Sequence, residues 1–242
     1  CFYNIFKKYA RYFMDVELLK MLAADPLFEG VSAEQIEDMS TFSQEVGKLH
    51  LRLKRYKKGA AVCSAGEVIS SFGLVKSGRI IIERAGFGGE SALIGTAGAG
   101  QLFAEVYACS RQPMMVTARA EGECEVLHIG LESLFACRRE GAERVLKNLL
   151  RITAAKNLAL TRKISCITPR TIRGRLAEYL LYMYSLHGAA FYVPFSRAQL
   201  ADYLNVDRSA LSAELGRLKK EGLIDCRKSS FVLSPEFING AV

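Results

Sequence analysis

A chain of 242 residues, half of them hydrophobic at 50%, can fill one large core or two ordinary ones. Its formal charge of +8 favours a polyanionic partner, without separating DNA from an anionic membrane, and no run approaches the roughly 18 apolar residues of a membrane span. The seven cysteines (Cys1, Cys63, Cys109, Cys124, Cys137, Cys166 and Cys226) stand singly with no CxxC pair, which argues against a zinc site or a disulfide framework and for small buried hydrophobes in a cytoplasmic protein.

In chain order, Cys1 to Tyr12 mixes aromatic residues with Lys7, Lys8 and Arg11 and lacks the apolar core of a signal peptide, so an ordinary surface helix is expected. From Asp15 to about Phe42 the pattern is helical, broken at Asp25-Pro26, with Ser32 and Gln35 spaced as a capping box. At Lys48 the period changes. Leu49, Leu51 and Leu53 alternate with His50, Arg52 and Lys54, the signal of a half-buried strand. Turns follow at Lys57-Lys58-Gly59, Ala65-Gly66-Glu67, Lys76-Ser77-Gly78 and Gly86-Phe87-Gly88-Gly89. Short apolar runs lie between and after them, at Ile69 to Val75, Ile80 to Ile82, Val116 to Ala120 and Cys124 to Ile129. Many short strands with turns at this spacing predict a β-barrel or jelly roll.

After Arg138-Arg139-Glu140-Gly141, the stretch from Ala142 to Ile164 has neither proline nor glycine and reads as one helix. Val145, Leu149, Ile152, Ala155 or Lys156, and then Ala159 and Lys163 trace a seam along it, with Leu146, Thr153 and Leu160 beside it. Two covers suit such a seam: a second copy in a parallel dimer, or the β domain itself. Ile167-Thr168-Pro169 marks a hinge. Arg170 to Leu186 is a second amphipathic helix, setting Leu176, Leu180 and Met183 against Arg173, Arg175 and Glu178.

Ser196 to Leu204 then reads as a short helix, Asn205-Val206 as a tight turn, and Asp207 as the N-cap of a helix running to about Glu221. Two β-like runs flank Arg227, Lys228 and Ser229. That order is a winged helix-turn-helix, whose second helix enters the major groove of double-stranded DNA. The domains expected are 1–47, N-terminal helices; 48–130, an effector-sensing β-roll; 131–168, a dimerisation helix and hinge; and 169–242, the winged helix-turn-helix. The fold class is α+β.

The order of β-roll, long helix and winged helix-turn-helix, with the strand Cys124-Glu125-Val126-Leu127-His128-Ile129 and the helix after Leu131, resembles the family of the cyclic-AMP receptor protein and the fumarate–nitrate reductase regulator. The resemblance covers nearly everything from Tyr56 onward. It implies a bacterial transcription regulator acting as a homodimer, an effector sensed in the roll, and RNA polymerase as a further partner. In cyclic-nucleotide-binding members a Gly-Glu pair is followed some ten residues on by Arg-Ser or Arg-Thr, and the guanidinium meets the cyclic phosphate. Here Gly100-Gln101-Leu102-Phe103-Ala104-Glu105 keeps Glu105, the glycine is Ala104, and Met114 and Met115 align with the Arg-Ser pair. A cyclic phosphate buried without its cation forfeits several kcal/mol, so cyclic AMP is not the expected effector. Leu102, Phe103, Glu105, Tyr107, Arg111, Met114 and Met115, with Val116, are the candidate effector-pocket residues, and equally the candidates for plain core. The iron–sulfur branch of the family uses three cysteines near the N-terminus and one inside the roll, a set this chain does not offer. His128, on an apolar strand, is expected to be packed or hydrogen-bonded. No cofactor is identified.

By the same resemblance the base-reading positions are Arg208, Ser209, Ser212 and Ala213, with Arg208 able to grip guanine through two hydrogen bonds. Arg197, Arg217, Lys219, Lys220, Arg227 and Lys228 are candidates for the phosphate backbone, which positions without specifying. No clustering of acid, base and nucleophile suggests an enzyme. The competing reading is an effector-binding dimerisation protein whose helix-turn-helix no longer meets DNA.

Overall fold

The computed structural model describes residues 16–41, 46–86 and 91–240. The helix expected at Cys1 to Tyr12 and most of the turn at 86–89 lie outside them. The chain divides into two compact units, 1–154 and 155–242, and the division falls inside the long helix.

The first unit opens with α1 (Val16–Ala23), a 3-10 turn (Pro26–Phe28) and α2 (Ala33–Met39). Asp25 caps the turn by accepting from the Leu27 amide at 2.9 Å, with Pro26 in the first position, where no amide is needed. Ser32 and Gln35 form the reciprocal capping box that their spacing predicts. The strands that follow are β1 (Ser40–Thr41), β2 (Leu49–Tyr56), β3 (Ala61–Cys63), β4 (Ser71–Ser77), β5 (Arg79–Ala85), β6 (Ser91–Gly98), β7 (Leu102–Phe103), β8 (Thr117–Ala120) and β9 (Cys124–Gly130). They form two sheets, ordered β1-β2-β9-β4-β7 and β3-β8-β5-β6.

The period of two decides what each face of the first sheet meets. Leu49, Leu51, Phe72, Leu74, Leu127 and Ile129 point to one side, where α1, α2, α4 (Leu131–Ala136) and the start of α5 (Ala142–Ile167) bury them. Val75, Cys124 and Val126 point to the other side, between the sheets. There they meet Cys63, Ile80, Ala97, Ala118 and Ala120, with Phe103 and Met114 completing that core. Gly73 is obligatory on this inner face: a Cβ there would stand 2.3 Å from the Phe103 ring.

The long helix has 26 residues, longer at its C-terminal end than the pattern indicated. Its seam is divided. Ala142, Val145 and Leu149 are buried in the helical layer of the first unit, and Asn148, 2% exposed, donates to the carbonyls of Leu27 at 3.1 Å and Glu29 at 2.9 Å. For these turns the cover is the first unit's own helical layer and 3-10 turn rather than a second copy, the second of the two covers the pattern allowed. What the helix leaves exposed lies elsewhere, at Leu150, Leu158, Leu160 and Ile164.

The second unit continues through α6 (Ile172–His187), β10 (Ala190–Tyr192), α7 (Arg197–Leu204), α8 (Arg208–Lys220), β11 (Ile224–Arg227), β12 (Ser230–Leu233) and α9 (Pro235–Ile238). Strands order β10-β12-β11, all antiparallel, so the wing hairpin gains a third strand that the sequence pattern did not announce. Leu176, Leu180, Leu200, Leu204, Leu211, Leu215, Leu218 and Phe231 share one core with Cys166 from the end of the long helix. Among the described residues no helix is long and apolar enough to cross a membrane.

Candidate functional site

The helix pair α7–α8 is set by local chemistry. Ser196 and Gln199 make a second capping box. Asn205 ends α7 in the left-handed conformation at φ 52°, which asparagine tolerates better than most residues. Asp207 then caps α8, accepting from the Ala210 amide at 2.9 Å, and that bond and the Ser209 hydroxyl hold its carboxyl below the usual range. With Leu211, Leu215 and Leu218 turned into the core, Arg208, Ser209, Ser212 and Ala213 are all brought to the exposed face. Their chemistry differs. Ser209 donates to the Asp207 carboxylate and Ser212 donates to the Arg208 carbonyl at 2.9 Å, so both hydroxyl protons are already used within the helix. Arg208 forms no ion pair among the described residues.

The six backbone candidates separate into two groups. Arg217 donates to Glu214 at 2.8 Å, Lys219 to Asp225 at 2.6 Å, and the Arg197 guanidinium lies over the Phe231 ring at 5.0 Å. Lys220, Arg227 and Lys228 are exposed and form no ion pair among the described residues. Lys228 turns the wing at φ 53°. The neighbouring Ser229 is half-buried, donating to the Phe195 carbonyl at 3.2 Å.

Two arginines expected on a solvated helix face instead hold the motif together. Arg173 donates to the buried Glu214 at 2.6 Å and through its two terminal nitrogens to both oxygens of Glu221, at 2.9 and 2.6 Å. Arg175 donates to the carbonyls of Pro169, Leu204 and Asn205, at 2.8, 3.3 and 2.7 Å, thereby pinning the turn between α7 and α8. Their spacing from the Leu176 and Leu180 stripe gave no sign of this, because all the partners but Pro169 lie about 30 to 50 residues further on.

In the roll, the cassette segment passes from β7 into α3 (Glu105–Ser110) through Ala104, which sits at φ 63°. The glycine-like backbone shape is kept by a residue with a Cβ, at a cost of roughly 1 kcal/mol. Leu102, Phe103 and Met114 are buried in the cores, Glu105 is 3% exposed, Tyr107 packs against the inter-sheet core, and Met115 is exposed. Arg111 points to an ion pair with Glu132 on the surface.

The inner face of β2 borders a separate cavity of about 450 Å³, and none of these seven residues lines it. Arg52, Lys54, Tyr56, Cys63, Glu67 and His128 are among those that do. The Tyr56 hydroxyl and His128 Nε2 share a hydrogen bond of 2.8 Å. Burial, and then the charges of Lys54 and Arg52, lower the His128 pKa to about 4. Burial also pushes Tyr56 up to about 12 and the Cys63 thiol up to about 11.

Two family models match the chain: one described as a cyclic nucleotide-binding domain over residues 53–140, the other as a Crp-like helix-turn-helix domain over 174–236. The cyclic AMP receptor protein of Thermus thermophilus is 23% identical over 203 residues, covering 84% of this chain and 89% of that protein. The crystal structure of the Thermus thermophilus catabolite activator protein superposes with a TM-score of 0.50 at 22% identity, covering 90% of this chain and all of the other. CprK complexed with OCPA superposes with a TM-score of 0.54 at 19% identity, covering 75% of this chain and 86% of that one.

The state of His128 makes the fold sensitive to acid. Below pH 6.5 the unfolded chain takes up a proton on this side chain, while the folded one declines it until about pH 4. Stability from this group is therefore full above about pH 6.5 and falls as pH drops toward 4, by on the order of 2 kcal/mol. Denaturant titrations at pH 7, 5.5 and 4.5 will show His128→Gln flattening that part of the profile.

Proposed function

The chain belongs to the cyclic-AMP receptor protein and fumarate–nitrate reductase regulator family, transcription regulators that join an effector-binding roll to a DNA-binding helix-turn-helix, and from that premise we propose that it acts as a homodimer reading DNA chiefly through Arg208, under an effector other than cyclic AMP. One observation carries the reading: the outward face of α8 presents a guanidinium with no ion-pair partner among the described residues, beside two serines whose hydroxyl protons are already engaged. A helix so built has one strong base reader, and guanine, with its paired acceptors in the major groove, is the base that suits it. Ala213 and the Ala210 β-carbon add apolar contact for a thymine methyl. Lys220, Arg227 and Lys228 grip phosphate. Arg217 and Lys219 contribute less, since each must first leave a carboxylate.

The dimer rests on the part of α5 that the first unit does not cover. Leu150, Ala154, Asn157, Thr161 and Ile164 fall on one stripe at helical spacing, flanked by Leu158 and Leu160. Leu150, at 70% exposed, and Ile164, at 60%, have no apolar cover among the described residues. A second copy covers such a stripe by symmetry.

The effector reading rests on the cassette. Met114, where the family's phosphate-binding arginine stands, is sunk in the inter-sheet core and has no charge to offer. Arg111, three residues upstream in the sequence, is paired with Glu132 on the surface. Calorimetric titration with cyclic AMP will show no binding tighter than a Kd of about 10 μM, or −7 kcal/mol; a tighter constant defeats this part of the proposal.

The DNA reading is tested by contrast between two variants. Arg208→Ala will cost about 1–3 kcal/mol on a specific site and relax preference at one base pair of each half-site. Arg227→Ala will weaken specific and non-specific DNA alike and lower the salt slope by about one unit. Equal behaviour of the two variants on matched and scrambled duplexes would remove Arg208 from the role of base reader.

A further inference from the structure

The inner wall of a two-sheet roll is ordinarily apolar, because both sheets turn their buried faces to it. Three strands of the first sheet put Val75, Val126 and Phe103 inside, with His128 the polar exception on β9. β2 breaks the pattern. Two of its three leucines, Leu49 and Leu51, are spent on the helical layer, the third, Leu53, is exposed, and the alternation of a strand then places His50, Arg52, Lys54 and Tyr56 on the inner side. A slip of one residue would bury the cations and expose the leucines, so the polar wall is fixed in register by the apolar one.

The cavity beside this wall, about 450 Å³, has the size of a small metabolite site. Arg52 is the antiparallel partner of His128, and Lys54 follows two residues on along the same face, its ammonium 5.3 Å from the Tyr56 ring centre. Neither cation forms an ion pair among the described residues. The one carboxylate of the lining, Glu67, accepts from the Ser64 amide at 2.6 Å in its own turn. Two positive charges and one carboxylate thus line the cavity, leaving it net positive, with Tyr56, Ser71 and His128 as polar neighbours and Val62 and Ile69 as an apolar side.

We propose that this cavity is a binding site for a small organic anion, its carboxylate or phosphate head held by Arg52 and Lys54 and its carbon body laid against Val62 and Ile69. The guanidinium fork matches either head group, and the ammonium adds a point charge. The site stands apart from the cyclic-nucleotide cassette, whose residues do not line it, and Phe103 fills the roll over Gly73, the strand partner of His128. It rests on the roll's own geometry and holds whether or not α8 reads DNA.

Calorimetry on the full-length chain at pH 7 with inorganic phosphate, succinate and benzoate, and with benzamide as the uncharged control, tests this. At least one anion will bind saturably, the carboxamide will not, and the arm that binds tells carboxylate from phosphate. Arg52→Gln will weaken that binding by about tenfold or more, and Arg52→Gln with Lys54→Gln will abolish it. Both side chains are exposed, and an unchanged thermal melt will show that the variants fold. The imidazole resonances of His128 supply an independent reading: on binding, its pKa will rise, since the anion offsets the Arg52 and Lys54 charges that, with burial, depress it, while Tyr56 remains its hydrogen-bond partner. Absence of saturable binding by all three anions up to about 20 mM, equal binding of benzamide, or undiminished binding in the double variant overturns the site.

Discussion

One buried carboxylate sets the orientation of the helix on which the function depends. Glu214 lies on the inner side of α8 with a side chain only 7% exposed, a position that is costly for a charge unless it is paired. Arg173 meets it from α6 and Arg217 from the next turn of α8, and Arg173 also binds both oxygens of Glu221 at the helix end. The helix is thereby fixed at two points along its length against α6. Leu211, Leu215 and Leu218 supply the burial that holds it down, but apolar contact is non-directional. The charge-assisted bonds fix its rotation, and rotation decides which side chains face outward. Arg175 does the same for the turn before it, tying Leu204 and Asn205 to α6.

In the sensor unit the equivalent constraint is the division of labour across the first sheet. Because Leu49 and Leu51 of β2 are claimed by the helices, its inner face is free to be polar, and the roll has two unlike compartments. One is packed with Phe103, Met114, Val126 and their neighbours and contains the cassette's turn at Ala104. The other is open and cationic. The turn at Ala104 depends on φ at one residue and the charge on the side chain ten positions away, the buried Met114, so the backbone of this segment and the charge it carries are set independently.

Much of this was legible in the sequence, where local chemistry decides structure. Ser196 with Gln199, Asp207, and Asn205 between two helical runs mark the helix-turn-helix through short-range hydrogen bonds, and they fold as those bonds require. The alternation at Leu49 and Leu51 likewise gave β2 its register. Long-range pairing was not legible. The seam at Val145 and Leu149 carries no mark of which partner covers it, and the first unit covers it because Asn148 is bonded to a turn about 120 residues earlier. Arg173 and Arg175 look like solvated surface until their partners are known. β10 was missed because three residues, Ala190 to Tyr192, make too short a pattern to register. The polar inner wall was visible as alternation, but which of its two faces lay inside was not.

The central claim is that α8 reads a two-fold symmetric DNA site, and selection of bound sequences from a random duplex library by the full-length protein measures it most directly. The account predicts an imperfect palindrome with half-sites about 34 Å apart, one turn of the duplex, as a symmetric dimer requires. Recovery of single, unrepeated half-sites, or of no enriched sequence at all, would contradict it.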